Sequence, residues 1–141
     1  MGRLEELEDY ESNIEDKEQD VEESQEKFEE VNNRLSQLEN AISNLSDDQQ
    51  VAESLESNKE EAEREKEEVE SERNALMSEL SNMESDLDEM QTENSNSESV
   101  LNQLESMGED VSEAKGIVSE RKEQIKQYKS RIDNLKNKLQ G

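Results

Sequence analysis

Apolar residues recur at every seventh position from residue 7 to residue 42, and a second, mixed column runs three residues behind the first. The first column consists of Leu7, Ile14, Val21, Phe28, Leu35 and Ile42, and the second contains Val31, Leu38 and Leu45 after Tyr10, Lys17 and Ser24. Apolar side chains at alternating spacings of three and four form one stripe on an α-helix, which is the packing seam of a coiled coil or helical bundle. The repeat therefore predicts long helices that pack against one another.

The composition allows a narrow seam but no thick core. Hydrophobic residues make up 27% of the 141 residues and charged residues 40%, whereas a coiled-coil seam needs about two apolar residues in seven, or ~29%. The chain has no proline, so every backbone donor is available to a helix. Low hydrophobicity with a net charge of −25 is also typical of disordered chains, but the sustained seven-residue register favours ordered all-α structure.

The apolar register shifts twice along the chain. After Leu45 the seam moves to Leu55, Val69, Leu76, Leu80, Met83, Leu87 and Met90, with Ala62 in the same stripe. After the polar run 91–99 it moves again, to Leu104, Val111, Val118, Ile125, Tyr128, Ile132, Leu135 and Leu139, with Val100, Met107 and Ala114 beside them. Each shift coincides with a capping-box pattern, at residues 46–49 and 95–98, in which a serine precedes Gln or Glu by three positions and begins a helix.

These shifts predict three helices, at about residues 2–45, 47–92 and 97–140, within a single helical domain over 1–141. Near-equal lengths fit an up-down-up (spectrin-like) antiparallel coiled-coil bundle, because each helix then runs the length of its neighbours. The alternative is a continuous coiled-coil rod with two stutters that forms a dimer. In heptads and composition alone the chain resembles the helices of myosin rods, tropomyosin and spectrin, and no motif singles out a family.

The charges are distributed unevenly along the chain. Residues 1–114 contain 38 acidic and 8 basic side chains, whereas residues 115–141 contain 3 acidic and 8 basic ones. A fold-back about residue 95 would set this basic tail against the dense acidic run 53–72. A parallel two-chain rod would place Glu beside Glu there, and like charges repel. The charges therefore favour the three-helix bundle, although an antiparallel dimer stays open.

The middle segment has cations where a seam expects apolar residues, at Lys59, Lys66 and Arg73. Either these residues set the register or meet a partner, or the segment is thin and locally unstable, which is the interpretation that polar seam positions favour. Gly108 and Gly116 lie inside the third predicted helix, where they indicate a local bend.

No pattern in the chain points to catalysis. Histidine and cysteine are absent, there is no glycine-rich phosphate loop, and the carboxylates lie on helix faces that water can reach. We therefore expect no enzyme activity, no cofactor and no metal site. The acidic surface disfavours nucleic acid, and no apolar run is long enough to span a membrane. The first ten residues lack the pattern of a signal peptide, which predicts a cytoplasmic protein or one secreted without a Sec-type signal peptide.

The sequence leaves two functions open. The first is a structural or protein–protein interaction module, such as a scaffold, spacer or oligomerisation element, with a helical protein partner or a second copy of the chain. The second is an acidic chaperone, export adaptor or inhibitor that binds a basic or amphipathic protein. Both depend on helix packing, and the partner's identity lies beyond the sequence.

Overall fold

The structure, a computed structural model, describes residues 3–140 and contains no strand within that range. A 3-10 turn at Arg3–Glu6 leads into α1 (Leu7–Asn44), which is followed by α2 (Gln49–Ser106) and α3 (Ser112–Gln140). Consecutive helices are antiparallel, and their contacts are those of an all-α three-helix bundle, which confirms the predicted fold class. The predicted start of the first helix at residue 2 lies outside the described residues.

Asp48 caps the start of α2, two residues later than the capping-box pattern predicted. Its side-chain Oδ1 accepts a hydrogen bond from the Val51 backbone N–H at 3.3 Å, and its carbonyl oxygen accepts one from Ala52 at 3.0 Å. Aspartate is a strong N-cap because its oxygen satisfies a donor that the helix leaves free. The predicted cap at Ser46 is therefore wrong, since Ser46 belongs to the turn that separates α1 from α2.

The second turn lies at residues 107–111, so the predicted boundary near residues 92–97 is wrong. The polar run 91–99 contains neither glycine nor proline, and α2 continues through it for a total length of 58 residues. Its serines do not break the helix, because Ser97 Oγ, for example, donates to the Glu93 carbonyl one turn earlier. As a result the helices are 38, 58 and 29 residues long, instead of near-equal thirds.

Gly108 ends α2 through a Schellman motif. Its φ is +93°, the left-handed conformation that glycine adopts without steric cost. The Gly108 N–H donates to the Glu105 carbonyl and the Glu109 N–H to the Leu104 carbonyl, both at 3.0 Å. The prediction that Gly108 bends the interior of the third helix is wrong, because this glycine closes the second helix instead.

Asp110 binds Ser112, the first residue of α3, immediately after this turn. Its Oδ1 accepts hydrogen bonds from the Ser112 hydroxyl at 2.8 Å and from the Ser112 backbone N–H at 3.2 Å. Both bonds favour the ionised carboxylate, and together they lower the pKa of Asp110. The run from Gly108 to Ser112 is thus a helix stop followed by a helix start.

The chain divides into two compact units, each of which is described by itself. The three-helix unit comprises residues 3–18 and 78–140, and the two-helix unit comprises Gln19–Met77. The prediction of a single domain over 1–141 stays a prediction. The distinction matters for function, since the two units bury their apolar seams to different extents.

In the three-helix unit, α3 packs against both α1 and the second half of α2. The buried apolar side chains of this unit are Leu7, Tyr10, Ile14, Leu80, Leu87, Met90, Val118, Ile125, Tyr128, Ile132, Leu135 and Leu139. The Tyr10 and Tyr128 rings lie 6.5 Å apart between centroids, and the Tyr10 hydroxyl donates to Asp86 at 3.1 Å. Large side chains become fully buried here because every helix is covered by two neighbours.

Ion pairs join the basic helix α3 to acidic residues of both other helices. Lys129 lies 2.5 Å from Asp88, Lys136 lies 3.5 Å from Glu84, and Arg131 lies 2.5 Å from Glu18. The predicted pairing of this basic tail with the acidic run 53–72 is therefore wrong. Because the turn is centred near Gly108 rather than residue 95, α3 meets residues of α2 that lie later in the sequence.

Two residues of the predicted third seam are exposed at the end of the α2–α3 hairpin. Val100 is 54% exposed and Met107 is 78% exposed, and Ile117 of α3 is exposed as well. Asn94, by contrast, is buried outside the predicted seam and donates to the Val118 carbonyl oxygen at 2.9 Å. Asn94 lies one heptad after Leu87, in the same column as Leu80 and Leu87, and this spacing is the sequence signal for its burial.

The two tyrosines should make the three-helix unit unstable in alkali. Burial, strengthened by the bond to Asp86, raises the pKa of Tyr10, and burial with the nearby charge of Glu11 raises the pKa of Tyr128. A raised pKa means that the folded state favours the neutral phenol. This contribution is complete below the unfolded pKa of about 10 and is lost as the pH rises through the folded pKa.

We therefore expect phenolate absorbance at 295 nm to appear together with loss of helical circular dichroism above about pH 10. The chain unfolded in guanidinium is the control, and there the tyrosines should ionise as free tyrosine does. Ionisation at the free-tyrosine pH with the helices intact would contradict the buried environment of both rings.

Candidate protein-binding surface

The two-helix unit buries a thin seam made of small or polar residues. Its buried residues are Val21, Ser24, Val31, Ala62, Val69 and Arg73. None of them is a Leu, Ile or Phe. A pair of helices can cover each seam from one side only, so large side chains in it keep part of their surface in water.

Eight large apolar side chains of this unit are accordingly half-buried. They are Phe28, Leu35, Leu38, Ile42, Leu45, Leu55, Leu76 and Met77. Apolar surface left in water costs free energy, about 25 cal/mol for each Å² that a partner could cover. The unit therefore presents an apolar surface that a third helix could bury.

Arg73 shows how the cationic seam positions are accommodated. Its guanidinium carbon lies 4.3 Å from the centroid of the Phe28 ring, and the group donates a hydrogen bond to Gln25 Oε1. Stacking on an aromatic face and covering apolar surface with a long stem are both favourable for arginine. Lys59 and Lys66, in the same column, are half-buried.

One set of acidic residues on α2 pairs with cations of α1. Arg34 lies 3.1 Å from Glu65 and 3.8 Å from Glu61, and Lys27 lies 3.9 Å from Glu72. These pairs are solvent-exposed, so each contributes at most about 1 kcal/mol. Their removal should therefore have little effect on the stability of the two-helix unit.

A second set of acidic residues on α2 forms what we term the acidic stripe. Its members are Glu53, Glu56, Glu60, Glu63, Glu67 and Glu70, all of them exposed. They alternate at spacings of three and four, which places them along one helix face, where like charges repel by a few tenths of a kcal/mol per pair. Within residues 3–140, none of the stripe residues forms an ion pair, and only Glu53 accepts a side-chain hydrogen bond, from Gln49. The spacing is visible in the sequence, although it lies outside the apolar seam.

Apart from Val100 and Met107, the residues of the predicted packing seam are buried or half-buried. The buried ones are Leu7, Ile14, Val21, Val31, Val69, Leu80, Leu87, Met90, Val118, Ile125, Tyr128, Ile132, Leu135 and Leu139. The half-buried ones are Phe28, Leu35, Leu38, Ile42, Leu45, Leu55, Leu76, Met83, Leu104 and Val111. Most of the half-buried set belongs to the two-helix unit, which again marks that unit as incompletely covered.

Residues 3–140 contain no group of three or more acidic, histidine or cysteine side chains arranged to hold a metal ion. In the same range, no helix is both long and apolar enough to cross a membrane. The predicted absence of enzyme activity stays a prediction.

Comparison of the chain with models of protein families, with curated proteins and with solved structures finds no match.

Proposed function

We propose that the chain is a non-catalytic helical module that binds another protein through its two-helix unit. The half-buried side chains of that unit carry the proposal, and Phe28, Leu35 and Leu38 are three of them along α1. An amphipathic helix laid on such a surface would bury apolar area without requiring the two existing helices to separate. In the three-helix unit, α3 shows the same kind of packing within one chain.

Photo-crosslinking in the source cell tests this proposal. A photoreactive amino acid at position 35 should give a discrete crosslinked product with another polypeptide, because Leu35 lies in the proposed surface. The matched control is position 100, which is more exposed but belongs to the three-helix unit. Substitution of Leu38→Gln should reduce the product at position 35, since a polar side chain there disfavours apolar burial.

Equal crosslinking at positions 35 and 100, or none at position 35, would contradict the proposal. The mass of the product also separates the forms that the module could take. A product of twice the chain mass would indicate an oligomerisation element, and any other mass a heterologous partner.

The charge of the two-helix unit favours a second, more specific candidate, an acidic chaperone, export adaptor or inhibitor. Residues 19–77 contain 19 acidic and 6 basic side chains. Such an excess would attract a basic or amphipathic protein and speed its association at low salt. Binding that does not weaken with added salt would remove this candidate and leave the general interaction module.

A further inference from the structure

We infer that the segment bound by the two-helix unit is a basic amphipathic helix whose cations lie along the acidic stripe. The inference rests on the proposed function and adds the chemistry of the partner. It is drawn from the way the chain's own basic helix, α3, meets α2 in the three-helix unit.

Lysines of α3 contact α2 at a few heptad positions. Besides the Lys129–Asp88 and Lys136–Glu84 pairs, Lys129 donates to Gln91 at 3.0 Å. Near the turn, Lys115 lies 2.7 Å from Glu105. The four residues of α2 that receive these lysines all belong to two adjacent heptad columns.

The acidic stripe occupies the same two columns earlier in α2. Glu63, Glu67 and Glu70 precede Glu84, Asp88 and Gln91 by three whole heptads, and all six stripe positions are glutamate. In the three-helix unit these columns meet the lysines of a basic helix. In the two-helix unit the same columns carry the exposed stripe, which has no ion pair within residues 3–140.

Charge complementarity therefore selects one occupant for the apolar surface of the two-helix unit. A second copy of this unit would bring another excess of 13 negative charges against the stripe, and like charges disfavour that arrangement. A helix of the α3 type would instead place Lys or Arg at spacings of three and four beside an apolar seam. The stripe spans 18 residues, so its length is about 26 Å and the partner helix needs roughly five turns.

A fluorescently labelled peptide with the sequence of residues 112–140 is a suitable probe for titration with the full chain. The chain's own α3 stays in the three-helix unit because its tether gives it a high effective concentration. We expect saturable binding of one peptide per chain, followed by fluorescence anisotropy, with affinity at least about tenfold weaker in 300 mM than in 50 mM NaCl.

Two matched variants locate the binding face. The stripe variant Glu56→Gln, Glu60→Gln, Glu63→Gln and Glu67→Gln removes four charges that make no ion pair in the structure. The control variant Glu61→Gln, Glu65→Gln, Glu68→Gln and Glu72→Gln removes four charges from the same helix but from outside the stripe. We expect the stripe variant to bind the peptide about tenfold or more weakly, and the control variant to stay within about threefold of the original chain.

Equal weakening in both variants would overturn the inference, because only the total charge would then matter. Loss of binding in Leu38→Gln with no loss in the stripe variant would also overturn it, while leaving the proposed helix-binding function intact. A chain that is already dimeric by light scattering, and that becomes monomeric when the stripe is neutralised, would assign the face to a second copy and overturn it as well. Circular dichroism of each variant checks that the helices are retained.

Discussion

Substitution of Leu87→Ala should lower the free energy of unfolding of the three-helix unit by about 2–5 kcal/mol, the range for truncating a fully buried leucine. Leu87 is 0% exposed. The substitution removes apolar contacts and leaves a cavity that rigid, helix-bound neighbours can fill only in part. The loss is a large share of the total stability of a small helical domain.

Tyrosine fluorescence in a urea titration is the appropriate measurement. Tyr10 and Tyr128 both belong to the three-helix unit, so their emission follows that unit even if the two units unfold separately. The control is Val100→Ala, at a position that is 54% exposed in the same helix, with an expected change within about 0.5 kcal/mol. Similar losses at positions 87 and 100 would contradict the burial described for both.

Alanine substitutions at Gly108, which ends α2, and at Gly116, which lies inside α3, should change the free energy of unfolding in opposite directions. Gly108→Ala should destabilise the chain by about 1–2 kcal/mol, because an L side chain is strained at a φ of +93°. Nothing lies within 4 Å of a Cβ added at Gly108, so the cost comes from the backbone alone.

Gly116→Ala is the matched control and should stabilise the chain by about 0.5–1 kcal/mol. Gly116 lies within α3, and a Cβ added there also meets nothing within 4 Å. In this case alanine lowers the conformational entropy of the unfolded chain without strain in the helix. Thermal unfolding followed by circular dichroism measures both changes, and two shifts of the same sign would contradict the position of the second turn.

The sequence predicted the seam more reliably than the turns. Apolar spacing reports which face of a helix leaves water, and that depends on neighbours three and four residues away. Residues such as Ile14, Leu80 and Ile132 could therefore be identified without a structure, and all three are fully buried. The polar run 91–99 predicts a turn, but polarity alone does not end a helix that lacks glycine and proline.

The second turn was also predictable in part. Gly108 is a residue type that ends helices, and Asp110 is a type that favours helix starts, so together they form a stop-and-start signal. The apolar pattern continues past this signal at Val111 and Ala114 and therefore masks it. Cap chemistry and hydrophobic periodicity are separate signals, and here the cap decided the length of α2.

The sequence by itself determined that the chain is helical, that its apolar residues form packing stripes and that its glutamates cover one face of α2, because each of these depends on spacing along a single helix. Only the tertiary structure decided where α3 lies. Once the turn is placed near Gly108, a 29-residue α3 pairs with the second half of α2. The residues from 19 to 77 then pack as two helices, and their large apolar side chains stay half-buried since no third helix of the described chain packs within that unit.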